Sequence, residues 1–267
     1  MSMFKVIREQ ISSFYLIRRL SLFELKSANN SHYLGILWEL INPMIQIGIY
    51  YFVFGYGIRG GRAVEGIPYF YWMLAGILVW FFVNPAILDA SKSIYTRIAL
   101  IAKMSFPMSV IPTYVIISKF YQHLMLVGVI VVIFQFTGYP ISIYYLSLPY
   151  YMFATIILLV AISLITSTLA TIVRDVQMIV QAVVRMLLYL TPLLWTPERL
   201  PHIVQSVMKF NPLYYIAEGY RAALLGHSWY LIEHIKYTAY FWGLVFVLLF
   251  IGSALHLKFR NRFVDYL

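Results

Sequence analysis

Glu39, Asn42, Gln46 and Tyr50 follow one another at intervals of three and four residues inside an apolar stretch, and Gln181, Arg185 and Tyr189 repeat the pattern further along. At helical spacing each set forms one polar stripe. Polar and ionisable groups in apolar helices are costly unless they face a bundle interior or a wet pathway and find partners there. The stripes therefore predict either the walls of a translocation route or plain hydrogen bonding between neighbouring helices. An ion pair between Glu39 and Arg185 is expected at rest, with Arg185 free to meet an anionic substrate group when the pair opens. Lys119 and His123 form a weaker set, because a lysine at that place can snorkel to an interface.

Aromatic residues give a second candidate. Tyr69, Tyr71, Trp72, Trp80 and Phe81 are clustered, and Tyr214 and Tyr215 are adjacent further on. An interfacial belt accounts for such residues. The sharper expectation is that Trp72, Trp80, Phe81, Tyr214 and Tyr215 stack on sugar rings of a passing polymer, since rigid amphipathic rings suit that contact. Glu218 and Arg221, three residues apart, are placed to pair. Ser163, Ser167 and Thr171 repeat every four residues, which is a packing face and carries no chemistry.

Catalytic patterns are missing. The sequence has no G-x-x-x-x-G-K-[ST], H-E-x-x-H or G-x-S-x-G, and it has no cysteine. No catalytic residue, metal ligand or cofactor is expected in this chain, and ATP, if used, must be bound by another. A membrane enzyme acting on polyprenyl-linked sugars would need clustered acid and base residues, but the histidines are scattered. An ion-coupled lipid or drug flippase would need carboxylates deep in its spans, yet Glu39 and Asp89 lie near the ends of theirs.

The elements that must hold these residues are helices in lipid. Of 267 residues 62% are hydrophobic and 11% charged, and the mean hydropathy is +0.79. Such a composition cannot cover a water-soluble surface. Runs of about 20 apolar residues fall at 35–56, 69–88, 113–136, 148–173, 178–195 and 237–257. The reading is an all-α membrane protein of six transmembrane helices in a single domain. Residues 3–20 place Phe4, Ile7, Ile11 and Phe14 at helical spacing, which predicts an amphipathic interfacial helix within the segment 1–33. The first 33 residues show no apolar run leading to a cleavage site, so this segment is expected to be retained.

Between the last two spans, 197–236 holds two short helical patterns. Asn211-Pro212 opens the second and Gly226 closes it, which are start and stop signals. Each is too short to cross a bilayer, predicting a re-entrant hairpin on the outer side, with a pair of surface helices as the alternative. Segment 1–33, the loop with Lys92, Arg97 and Lys103, the turn at Arg174-Asp175 and the tail 258–267 carry twelve of the Lys and Arg residues. The opposite side carries six. That asymmetry places both termini in the cytoplasm of a cell membrane. It also accounts for the net charge of +10 better than a nucleic-acid partner does.

Along the chain come Glu24-Leu25-Lys26, Tyr33-Leu34-Gly35-Ile36-Leu37-Trp38 before Asn42-Pro43, Phe106-Pro107 with Ile111-Pro112, and Arg174-Asp175-Val176. Asn211-Pro212-Leu213, Glu218-Gly219-Tyr220-Arg221 and the basic tail follow. In this order and placement, the chain resembles the permease subunits of ABC-2 type exporters, in the branch that exports teichoic acids, O-antigens and capsular polysaccharides. The resemblance implies a homodimer with a second copy, two ABC ATPase subunits that bind the ATP and Mg, and a glycopolymer carried on undecaprenyl diphosphate amid membrane lipids. Coupling to the ATPase is expected through the N-terminal helix, through Lys92, Arg97 and Lys103, and through Arg174 and Asp175. Within the branch the chain looks most like teichoic acid exporters, with O-antigen or capsule export as the alternative.

Overall fold

The structure, a computed structural model, describes residues 2–29, 33–101, 107–261 and 263. Lys103, Phe106 and Arg262 lie outside the described residues. Among the described residues the fold is all helical, with a single isolated bridge between Val64 and Ile67.

Helices α1 (Ser2–Ser12) and α2 (Phe14–Asn29) are nearly continuous, since the Ser13 amide still donates to Glu9 O and the Ile17 amide to Ser13 O. The expected N-terminal helix is present but runs nine residues past Leu20. Its bundle-facing residues are Val6, Ile17, Ser21 and Leu25, whereas Phe4, Ile11 and Phe14 of the expected stripe are exposed. The long helices follow: α3 (Trp38–Tyr50), α4 (Tyr69–Ser91), the short α5 (Ser93–Ile101), α6 (Val110–Gln135), α7 (Leu148–Ile172), α8 (Val176–Leu190) and, last, Ile235–Phe259. A π-helix, Tyr51–Ile58, prolongs α3.

Five helices among the described residues are long and apolar enough to cross a membrane: Gly35–Ile58, Tyr69–Ser91, Val110–Gln135, Ile143–Ile172 and Ile235–Phe259. The run expected at 178–195 is instead the 15-residue α8, about 22 Å long at 1.5 Å per residue. Pro192 explains the early stop. The residue before a proline is pushed out of the α region, and Thr191 is extended, with φ −96° and ψ 131°.

The segment 197–236 contains α9 (His202–Met208), α10 (Pro212–Leu225) and α11 (Tyr230–Glu233), followed by α12 (Ile235–Phe259). The start and stop signals act as expected: Asn211 Oδ1 accepts from the Leu213 amide at 3.0 Å, and Gly226 takes the left-handed conformation at φ 72°. The two halves of the expected hairpin are not equivalent. Only Met208 of α9 is buried, while α10 is buried along nearly its whole length.

α4 is the axis of the bundle, packed by α6, α7, α8 and α10. Its apolar residues run round the whole circumference, as suits a helix enclosed on every side, with Asn84 and Asp89 polar toward its end. α7 and α12 pack closely where Gly252 lies against Ala161 O and the Leu164 side chain and Thr168 Oγ1 is 3.2 Å from His256 Nδ1, while Ser163, Ser167 and Thr171 are buried. α3, by contrast, touches the rest of the chain lightly and leaves most of its surface free.

The bundle end that carries both termini is tied by polar contacts. Glu9 pairs with Arg260 at 2.8 Å and accepts from Ser109 Oγ at 2.6 Å, and Gln10 Nε2 donates to Ser109 O at 2.8 Å. Arg97 of α5 pairs with Glu24 of α2 and lies over the Tyr114 ring of α6. Gln177 Nε2 donates to Leu88 O, and its side-chain oxygen accepts from Ser91 Oγ at 2.6 Å, fixing the start of α8 to the end of α4.

A Cβ on Gly219 would fall 2.1 Å from the Tyr151 ring, whereas Gly128 has nothing within 4 Å. Gly219→Ala should cost about 1–3 kcal/mol of overpacking and lower the midpoint of thermal unfolding in detergent. Gly128→Ala should leave that midpoint in place.

Candidate functional site

Three helices converge on a cavity of about 200 Å³ toward the bundle end that carries the termini. Glu39, Asn42, Pro43 and Gln46 come from α3, Phe81, Asn84 and Pro85 from α4, and Lys119, Gln122, His123 and Leu126 from α6. Each set is spaced by helical turns, so one face of each helix is turned to one place.

The polar side chains here are largely unpaired. Glu39, Asn42, Gln46 and Asn84 make no hydrogen bond or ion pair within the described chain. Gln122 Nε2 and His123 Nδ1 are buried without a partner. The other ring nitrogen of His123 is 2.9 Å from the Tyr220 hydroxyl, and its ring stacks on Phe82. Asn42 and Gln46 are exposed at its rim, whereas each buried nitrogen left unpaired on Gln122 and His123 costs roughly 1–3 kcal/mol by mutational measures, so the cavity is a place for water or a polar ligand. Lys119 is the exception, paired with Asp89 at 3.1 Å, which also holds Lys92 at 2.8 Å.

Both prolines add acceptors. A proline inside a helix cannot donate to the carbonyl four residues earlier, so Pro43 and Pro85 leave the carbonyls of Glu39 and Phe81 without their usual partners. Interrupted backbone within a membrane is tolerated where it lines a polar cavity or is satisfied by neighbouring groups.

The two predicted stripes are not joined into one wall. Glu39 and Arg185 form no ion pair, because α8 turns Val180, Val184 and Leu188 inward and leaves Arg185 on its exposed face. Gln181 is half-buried and Tyr189 exposed. The stripes approach only at their far ends, where Tyr50 and Tyr189 come within electrostatic range.

Stacking on a passing polymer does not hold for Trp72, Trp80 and Tyr215, all of which are buried. The Tyr215 hydroxyl is engaged with Thr238 Oγ1 at 2.9 Å and with Tyr150 at 3.0 Å, and the Trp242 indole donates to Tyr150. Phe81 and Tyr214 keep open faces: Phe81 lines the inner cavity, and Tyr214 lines a cleft of about 490 Å³ with Phe210, Tyr230, Tyr237 and Tyr240. Arg174 and Asp175 stand exposed in the tight turn between α7 and α8. Asn84 and Gln122 were not among the sequence candidates. Their signals were an Asn-Pro pair inside an apolar run, and a polar residue three positions after Lys119.

Residues 15–225 match the ABC-2 type transporter family. The chain belongs to that family. It is 25% identical over 245 residues to the O-antigen export system permease protein RfbA of Klebsiella pneumoniae, covering 91% of this chain and 92% of the relative. It is 23% identical over 265 residues to the protein of the same name from Myxococcus xanthus, covering 98% and 99%. With its apolar helices, this ABC-2 chain is a multi-pass membrane protein. The matched stretch includes the whole cavity and α10.

Among the described residues of that stretch Arg221 is the most enclosed charge, 3% exposed. The expected pairing with Glu218 is present. Its Nε donates to Trp72 O at 3.3 Å, one terminal nitrogen donates to Pro192 O at 2.6 Å and Leu193 O at 3.3 Å, and the guanidinium lies 3.7 Å from the Trp72 ring centroid. Gly76 makes the space, since a Cβ there would meet the guanidinium at 2.4 Å. Arg221→Met removes these bonds from the Trp72, Pro192 and Leu193 carbonyls, a loss on the scale of about 1–3 kcal/mol for a stranded buried group. Arg221→Lys should recover only part of that, because an ammonium lacks the planar fork. Thermal unfolding of the purified variants checks both.

Proposed function

We propose that this chain is the membrane-spanning subunit of an ATP-driven exporter that moves a lipid-linked polysaccharide of the O-antigen type out of the cytoplasm. The observation that carries the reading is the near end-to-end similarity to permeases named for O-antigen export. Those relatives favour O-antigen over teichoic acid. Capsular polysaccharide, chemically close to O-antigen, is the neighbouring case. The absence of any phosphate-binding loop in the sequence fits a transport subunit whose ATP and Mg are bound by separate ATPase chains.

The polar face of α3, with Glu39, Asn42, Gln46 and Tyr50, forms one side of the route, and Gln181, Arg185 and Tyr189 of α8 form another. A second copy supplies the rest. The free surface of α3 supports this, because one chain encloses little path for a bulky polymer. The terminus-bearing end faces the cytoplasm, as its excess of Lys and Arg favours. There α1, α2, α5 and the Arg174-Asp175 turn receive the ATPase.

Four measurements test this. Cells depleted of the chain should accumulate lipid-linked polysaccharide inside, and an ABC ATPase should co-purify with it in mild detergent; failure of the ATPase to appear overturns the reading. Arg185→Gln should insert normally yet slow export by about tenfold, the effect of losing one charge-assisted hydrogen bond. Because the chain has no cysteine, single reporters are clean. Ala63→Cys should react with an impermeant maleimide from outside intact cells and Ser12→Cys should not, and the reverse pattern would invert the topology.

A further inference from the structure

The cavity between α3, α4 and α6 has a composition that selects among ligands. Four of its seven polar side chains are amides, Asn42, Gln46, Asn84 and Gln122, which both donate and accept. Gln122 and His123 are more than nine-tenths buried, and each carries one nitrogen without a partner. The two helix-interior prolines add the carbonyls of Glu39 and Phe81 as acceptors. A hydrocarbon chain would leave all of these groups unpaired.

Charge argues against a phosphate. The cation at the cavity, Lys119, is already paired with Asp89, and Glu39 offers an unpaired carboxylate that repels an anion. Phosphate sites favour arginine forks, or lysines free to act as point charges. What matches a wall of amides, one carboxylate and one half-buried aromatic ring is a small neutral polyol with apolar faces and many hydroxyls. The volume, about 200 Å³, holds six or seven waters at ~30 Å³ each. That is the bulk of one sugar ring and too little for a polymer segment.

We propose that this cavity is a monosaccharide subsite, taking one uncharged sugar residue of the exported glycan with its hydroxyls on Asn42, Gln46, Asn84, Gln122 and Glu39 and its face on Phe81. The assignment rests on the glycan-export reading and adds to it the recognition of an individual sugar, separate from the lipid diphosphate. Because the cavity lies toward the terminus-bearing end, the residue is read when substrate is loaded.

Saturation-transfer NMR on the full chain with its co-purified ATPase in nanodiscs tests this, using glucose, galactose, mannose, rhamnose and N-acetylglucosamine as separate probes and inorganic pyrophosphate as competitor. Transfer to at least one sugar is expected. Asn84→Leu and Gln122→Leu should each weaken it by about tenfold, as the loss of a hydrogen bond does, and pyrophosphate should not displace it. Glu39→Gln, which keeps shape, and Phe81→Leu, which stays apolar but removes the ring, serve if either leucine variant fails to assemble, and each should weaken transfer too. Absence of transfer to every sugar, meaning a cavity that holds only water, overturns the subsite. So does undiminished transfer in the variants, or displacement by pyrophosphate. The two readings fail separately: a chain that binds its ATPase but no sugar loses only the subsite, whereas a chain with no ATPase loses the exporter.

Discussion

A guanidinium enclosed in an apolar bundle must find its partners inside the protein, and the position of Arg221 shows what that requires. Four hydrogen bonds and the face of Trp72 fix it to its own helix, to α4 and to the segment after α8. Three separate parts of the chain are thereby held at one point. Gly76 has to be small so that the charge can approach α4, and Pro192, which ends α8, also offers its carbonyl to it. The burial of α10 follows from the same requirement, because a helix carrying this side chain cannot move away without stranding the charge.

Around that tie the molecule divides into a fixed part and a loosely attached one. α4, α6, α7, α10 and α12 bury their contacts, and Tyr150, Tyr215 and Thr238 tie α7, α10 and α12 together by hydrogen bonds. α3 is held lightly and presents both polar and apolar faces. The cavity lies along this seam. Two of its walls are set by the fixed helices and the third by α3, so its shape depends on how α3 sits. Asp89 joins the terminus-bearing end to the cavity, since it bonds Lys92 at the helix end and Lys119 at the cavity.

The sequence by itself determined the features that depend on neighbours along the chain. Apolar runs placed the long helices, since the cost of exposed backbone in lipid forces a helix wherever such a run is inserted. Asn211, Pro212 and Gly226 marked the ends of α10, because capping and left-handed geometry are local matters. The pairing of Glu218 with Arg221 was legible from one helical turn. The polar stripe of α3 was legible too, and the structure places three of its members in one cavity.

Tertiary structure alone decided which faces meet. α4 and α6 carry apolar residues around their whole circumference, so no single apolar stripe in their sequences points to a partner. Asn84, Gln122 and His123 could not be assigned to the Glu39 stripe until the helices were packed. The same limit explains Arg185: its spacing showed that it shares a face with Gln181 and Tyr189, but only packing showed that α8 turns Val184 and Leu188 inward instead. Trp72, Trp80 and Tyr215 have the composition of surface aromatics, yet the surrounding helices cover them. Local spacing fixes what lies on one helix face, and the burial of that face is a property of the whole bundle.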